Sequence, residues 1–189
     1  MTMSIECKQL SDGVVVLVPK VFEDARGYFM ETFRADEFQE LGLPREFVQD
    51  SCSRSKKGVI RGLHLQWDPP MGKLVRVTYG SAFLMAVDIR KGSPSFGKWF
   101  GLEVSAQNKK QVWAPAGFAR GFCALSEFAE VQYNCTGIYN PQGESGIRWN
   151  DSKIGIDWPA GDPVLSDKDR TAQTLDEWIA SPFSDRFQY

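Results

Sequence analysis

Short runs of β-branched and aromatic residues recur roughly every ten positions along the chain, punctuated by Gly, Pro, Asp and Ser. They are VVVLV (14–18), GVIRGLHLQ (58–66), KLVRVTYG (73–80), SAFLMAVDIR (81–90), KWFGLEV (98–104), KQVWAP (110–115) and EVQYNCTGIY (130–139). Branched and flat side chains pack well on a pleated surface, and many short strands joined by turns close into an antiparallel sandwich or barrel. An all-β fold is therefore expected. Helical signal is confined to ADEFQEL (35–41), stopped by Gly42 and Pro44, and to QTLDEWIA (173–180), each enough for a short peripheral helix. The tail after Pro159 reads as merely more polar, and no linker or repeat divides residues 1–189, so one domain is expected.

A chain of 189 residues, 42% hydrophobic and 24% charged, can bury a core without cross-links. Cys7, Cys52, Cys123 and Cys135 are scattered with no CxxC pair, which suits reduced thiols. A net charge of −2 gives no general attraction to phosphate polymers, so no nucleic-acid partner is expected. The segment MTMSIECKQL lacks the apolar run of a leader, and no window is apolar enough to span a bilayer. The expectation is a cytoplasmic protein with no membrane partner.

Strand parity adds more, because successive side chains point to opposite faces. Lys73 shares a face with Val75 and Val77, and Tyr133 with Val131 and Cys135, so both polar groups are directed at an apolar interior. The plain readings are a snorkelling lysine at a strand end and a core tyrosine whose hydroxyl is satisfied. In VIRGLHLQ the residues on the face of His64 are Ile60, Gly62 and Gln66, which leaves Arg61 pointing away. If Arg61 and His64 share a site, an irregularity at Gly62 is required, since glycine inside a strand often marks a bulge.

His64 is the only histidine in the chain. A metal held by several histidines is thereby excluded, the cysteines are not clustered, and no GxSxG setting supports a serine hydrolase. Neither metal nor other cofactor is expected. What one imidazole does well is move a proton near neutral pH.

VIRGLHLQ, followed in order by GKLVRV, VDIRKGSPSFGKW, PAGFARGF, Tyr133, GIRWND, GIDWP and LSDKD, resembles the dTDP-4-dehydrorhamnose 3,5-epimerase family over nearly the whole chain. The resemblance implies a cupin-type jelly-roll barrel of antiparallel strands, a homodimer, and a metal-free pocket that epimerises a nucleotide-diphosphosugar beside its 4-keto group. It implies His64 as general base, Asp169 as the carboxylate pairing with it, Tyr133 as general acid and Lys73 as the cation near the keto oxygen. Arg61 and Lys168 match diphosphate ligands, Arg26 and Glu31 nucleotide contacts, and Tyr139 a ring stacked on the base. Glu144 and the Gln49-Asp50-Ser51 segment fall at binding positions, with Phe22 and Phe29 as apolar wall. Phe22 and Phe29 fit core or dimer packing equally well, and Arg26 with Glu31 also reads as a surface ion pair.

Three positions depart from the family pattern: ARGF stands where AHGF is usual, FLMAVDIR where FDVAVDIR is usual, and QDS where QDN is usual. Arg120, Leu84 and Ser51 thus replace a histidine, an aspartate and an asparagine. Arg120, always charged and longer than histidine, is a candidate ligand for another sugar group or for the diphosphate. The expected consequence is a retained proton-transfer core with a possible change in sugar preference, or in whether C3, C5 or both are inverted.

Overall fold

The computed structural model describes residues 5–189. Its strands, in chain order, are β1 (Ile5–Gln9), β2 (Val15–Pro19), β3 (Val21–Asp24), β4 (Gly27–Met30), β5 (Gln49–Lys56), β6 (Ile60–Gln66), β7 (Lys73–Tyr79), β8 (Ser81–Asp88), β9 (Trp99–Ser105), β10 (Gln111–Ala114), β11 (Phe118–Ala124), β12 (Phe128–Cys135) and β13 (Glu144–Gly146). One sheet has the order β1-β2-β10-β7-β12-β5, the other β13-β6-β11-β8-β9, and β3 pairs only with β4. The pairings within all three sheets are antiparallel. Two such sheets stacked face to face make the expected jelly roll.

Alternation explains how the sheets close. On β8 the small or branched Ala82, Leu84 and Ala86 face the other sheet, joining Val77, Val112, Phe118, Phe122 and Val131 in the central core. The intervening Met85 and Val87 point outward with Leu63, Leu65 and Ala119. That outer face is covered by the C-terminal segment, through Ile147, Ile154, Leu175, Trp178 and Phe187. The tail is therefore not simply polar: it buries Leu175, Trp178 and Phe187. Leu175 and Trp178, three apart on α3 (Leu175–Ala180), form one apolar stripe, and Thr174 and Glu177 close a capping box at its start. On the outside of the six-stranded sheet, Phe38 of α1 (Ala35–Glu40) packs with Leu17, Leu74 and Trp113, and Gly42 at φ +71° ends that helix as expected. Among the described residues, no helix is long and apolar enough to cross a membrane.

The expected irregularity in β6 is present. Arg61 pairs with Phe122 and His64 with Arg120, so Gly62 and Leu63 together face the single residue Gly121. This bulge resets the parity. Arg61 and His64 now lie on the inner side, opposite inward-facing residues of β11, while Leu63 and Leu65 stay outside. Gly62 has φ +142°, and a Cβ there would sit 2.6 Å from the Gly121 Cα, so no other residue fits.

Candidate active site

Between the sheets lies a cavity of about 390 Å³, within the range of small-molecule sites. The five-stranded sheet contributes Arg61, His64, Leu84 and Arg120, and the six-stranded sheet contributes Ser51, Ser53, Lys73 and Tyr133. His64 and Tyr133 therefore stand on opposing walls.

The His64 Nε2 is 2.5 Å from Oδ1 of Asp169, which is 4% exposed and belongs to α2 (Asp167–Arg170). Ser166 caps that short helix: its hydroxyl accepts from the Asp169 N–H and donates to Oδ2 at 2.8 Å. The Gly62 N–H also bonds the carboxylate, so the bulge that turns His64 inward also anchors its partner. Burial pushes the Asp169 carboxyl up, but these hydrogen bonds outweigh it and hold the group below the usual carboxylate range. A carboxylate accepting from Nε2–H leaves Nδ1 as the nitrogen with a free lone pair.

On the other wall the Tyr133 hydroxyl is 2.8 Å from Ser53 Oγ. Burial pushes its pKa up to about 12, with the Ser53 hydrogen bond and Arg61 pulling the other way. The phenol therefore holds its proton until a strong base forms beside it. Lys73, whose Nζ lies 5.8 Å from the centre of the Tyr133 ring, is brought down to about 8 by burial and by the charge of Arg120.

A rim of polar groups surrounds the mouth. Arg61 gives its Nε–H to Ser55, and its terminal nitrogens bond nothing else among the described residues. Tyr139 donates to Glu144 at 2.8 Å, Glu144 is paired with Lys168, and Gln49 bonds both Ser51 and the Tyr139 N–H. Burial raises the Glu144 carboxyl, and Lys168 and Tyr139 more than reverse it, so it stays ionised.

These groups meet in a chain most of whose length matches one family. The model of the dTDP-4-dehydrorhamnose 3,5-epimerase family matches residues 9–177. The chain belongs to that family. It is 54% identical over 162 residues to the dTDP-4-dehydrorhamnose 3,5-epimerase of Neisseria gonorrhoeae, covering 85% of this chain and about half (49%) of that protein. The Shigella flexneri protein of the same name is 53% identical over 162 residues, covering 85% of this chain and 90% of its own. A solved dTDP-6-deoxy-D-glucose-3,5-epimerase from Legionella pneumophila Philadelphia 1, in complex with dTDP-4-keto-L-rhamnose, superposes with a TM-score of 0.88 at 46% identity, covering 91% of this chain and 93% of that one.

The residues that the family resemblance assigns are not all brought together within one chain. His64, Asp169, Tyr133, Lys73, Arg61, Gln49, Ser51 and Tyr139 converge on the cavity or its rim, with Glu144 and Lys168 beside them. Asp50 does not: it alternates outward on β5 and accepts from Gln132 on the far face. Phe22, Arg26, Phe29 and Glu31 are also absent from the cavity. The β3–β4 hairpin carries Phe22 and Phe29 with 49% and 65% exposure, which removes the core-packing reading. Arg26 pairs with Asp24 and Glu31 with Arg34, so they are not an ion pair with each other. Arg120 lines the cavity, yet its terminal nitrogens are held by backbone carbonyls and so are not presented to a diphosphate.

Sequence reasoning missed Ser53, Ser55 and Ser166, which hold Tyr133, Arg61 and Asp169. Ser51, Ser53 and Ser55 recur with period two in SCSRS, the parity signal that would have placed them on the inner face of one strand.

Proposed function

We propose that the protein is a cofactor-independent epimerase that inverts C3 and C5 of a dTDP-linked 4-keto-6-deoxysugar, dTDP-4-dehydro-6-deoxyglucose in the first place. The observation that carries this reading is the His64–Asp169 pair and the Ser53–Tyr133 pair on opposing walls of one cavity, with Lys73 beside them. His64 removes the proton on the carbon next to the ketone. The electron pair left behind moves onto the keto oxygen, where the Lys73 ammonium stabilises the enolate. Tyr133 then returns a proton to the opposite face of the same carbon, and the carbonyl re-forms with inverted configuration. His64 and Tyr133 exchange protons with solvent and reset. Arg61 and Lys168 suit the diphosphate through charge-assisted hydrogen bonds, and Tyr139 suits the base through stacking.

Incubation with dTDP-4-keto-6-deoxyglucose in D2O tests this. Deuterium at both C3 and C5, read by mass and NMR, is the expected result; none at either carbon overturns the assignment. Label at one carbon alone favours a single-centre epimerase, the second reading, which rests on Arg120 and Leu84 altering the cavity wall.

We also propose a homodimer in which the β3–β4 hairpin reaches the mouth of the partner's cavity. Among the described residues, the exposed Phe22, Tyr28 and Phe29, together with Arg26, do not line the chain's own cavity. Light scattering should return twice the mass of one chain, and Phe29→Ser should weaken both association and nucleotide affinity. A monomer with full nucleotide affinity would sink this part.

A further inference from the structure

Arg120 is 8% exposed, yet no carboxylate is paired with it, or with Lys73, among the described residues. It stands on β11 directly across from His64, and its side chain crosses the cavity to the other sheet. Nη1 donates to the carbonyls of Ala114 and Pro115 at 3.0 and 3.3 Å, and Nη2 to that of Met71 at 2.8 Å, while the Nε–H finds no acceptor. These acceptors bracket Lys73: Ala114 is its cross-strand partner, and Met71 lies two residues before it. The same backbone therefore holds a guanidinium and an ammonium in one apolar enclosure. Leu84, which also lines it, supplies no negative charge.

Two like charges in a low-dielectric space disfavour each other, and the one that can release its proton yields. Burial draws Arg120 down only to about 10, so it stays charged at neutral pH, whereas burial and then the charge of Arg120 bring Lys73 down to about 8.

We propose that Arg120 is a positioning residue that acts through Lys73, its uncompensated charge turning the neighbouring ammonium from a fixed cation into a proton donor for the keto oxygen. The inference rests on the epimerase reading and deepens it. As His64 takes the carbon-bound proton and charge moves to the oxygen, the Lys73 Nζ passes one proton to that oxygen, giving a neutral enol and a free amine. When Tyr133 protonates the carbon from the other face, the enol O–H bond breaks, its proton returns to Nζ and the ketone re-forms. No proton is gained or lost by Lys73 over the cycle. The other groups around it are Tyr133 and Cys135 on β12, Glu144 on β13, Lys168 on α2 and His64 on β6. Glu144 and Cys135 favour the ammonium and Lys168 opposes it, so Arg120 is the principal charge acting against it.

The test reads Lys73 without substrate. The rate of its acetylation by dilute acetic anhydride, followed by peptide mass spectrometry against pH, should reach half its maximum near pH 8 in the unaltered protein. Arg120→Gln removes the charge and Leu84→Asp neutralises it in place. Both should move the midpoint up by a unit or more, making Lys73 about tenfold less reactive at pH 7.5. The alkaline limb of kcat should shift with the midpoint in each variant. An unmoved midpoint in both folded variants would show that Arg120 merely ties the sheets together. Absence of epimerisation by the unaltered protein would instead strike the epimerase reading, leaving the titration result standing.

Discussion

His64→Ala is expected to lower the rate of deuterium exchange at the sugar by about three orders of magnitude, in line with what a positioned base contributes. Nucleotide binding, followed by calorimetry with dTDP, should stay within a few-fold of the original. The separation follows from the architecture: His64 lies inside the cavity, whereas Arg61, Tyr139 and Lys168 stand at its rim. There is no second histidine to take over, because the chain contains only one. Asp169→Asn should have a smaller effect, on the order of 10- to 100-fold, since it leaves the imidazole present but without the carboxylate that fixes its tautomer. The Asp169 carboxyl lies below the ordinary carboxylate range, so it remains ionised through neutral pH and its support of His64 is lost only on acidification. Exchange that survives His64→Ala at full rate would mean that another group removes the proton. The pairing with Asp169 would then be structural.

How far the sequence reached depended on whether a position was set by local pattern or by the third dimension. Period-two parity placed Lys73 and Tyr133 in the interior, and the conflict at Arg61 and His64 required the bulge that Gly62 provides. Strands β5 and β11 escaped notice because the inner face of β5 is Gln49, Ser51, Ser53 and Ser55, and β11 breaks up Phe118 and Phe122 with Ala119, Arg120 and Gly121, residues with little strand propensity. The C-terminal cover escaped for another reason. The helix at 173–180 was legible, but one short stripe with Phe187 beyond it does not say which sheet face it covers, and α2 is only four residues long. The His64–Asp169 contact spans 105 positions, beyond any periodic rule, and it was reachable only through family resemblance. Even the resemblance said only that Arg120 is unusual. That its guanidinium turns to the Met71, Ala114 and Pro115 carbonyls depends on how the two sheets face each other, which no local pattern encodes.

Lys73→Met is expected to abolish turnover and, in the same protein, to raise thermal stability. The folded state holds the lysine at about 8 against an ordinary value of 10.5, because burial disfavours the ammonium and Arg120 repels it. A cation held below its unfolded pKa weakens the fold. The penalty is fully present below about pH 8, where both states are protonated, and it fades as pH rises from there toward 10.5 and the folded state sheds its proton first. At about 1.4 kcal/mol per pKa unit, the shift sets an upper limit of about 3–4 kcal/mol, and the part recovered by methionine should be roughly 1–3 kcal/mol. Methionine has nearly the length of lysine and meets Met71, Val75 and Leu84 in the cavity, so the exchange adds apolar contact without overfilling the space. For a chain of this size the gain corresponds to an increase in Tm of several degrees, and it should narrow as calorimetry is repeated from pH 7 toward pH 10. A variant that is inactive and also less stable would place Lys73 in the framework of the barrel. One that is inactive and more stable identifies a residue retained against the interest of the fold, as expected of a cation whose counter-charge arises only when the ketone becomes an enolate.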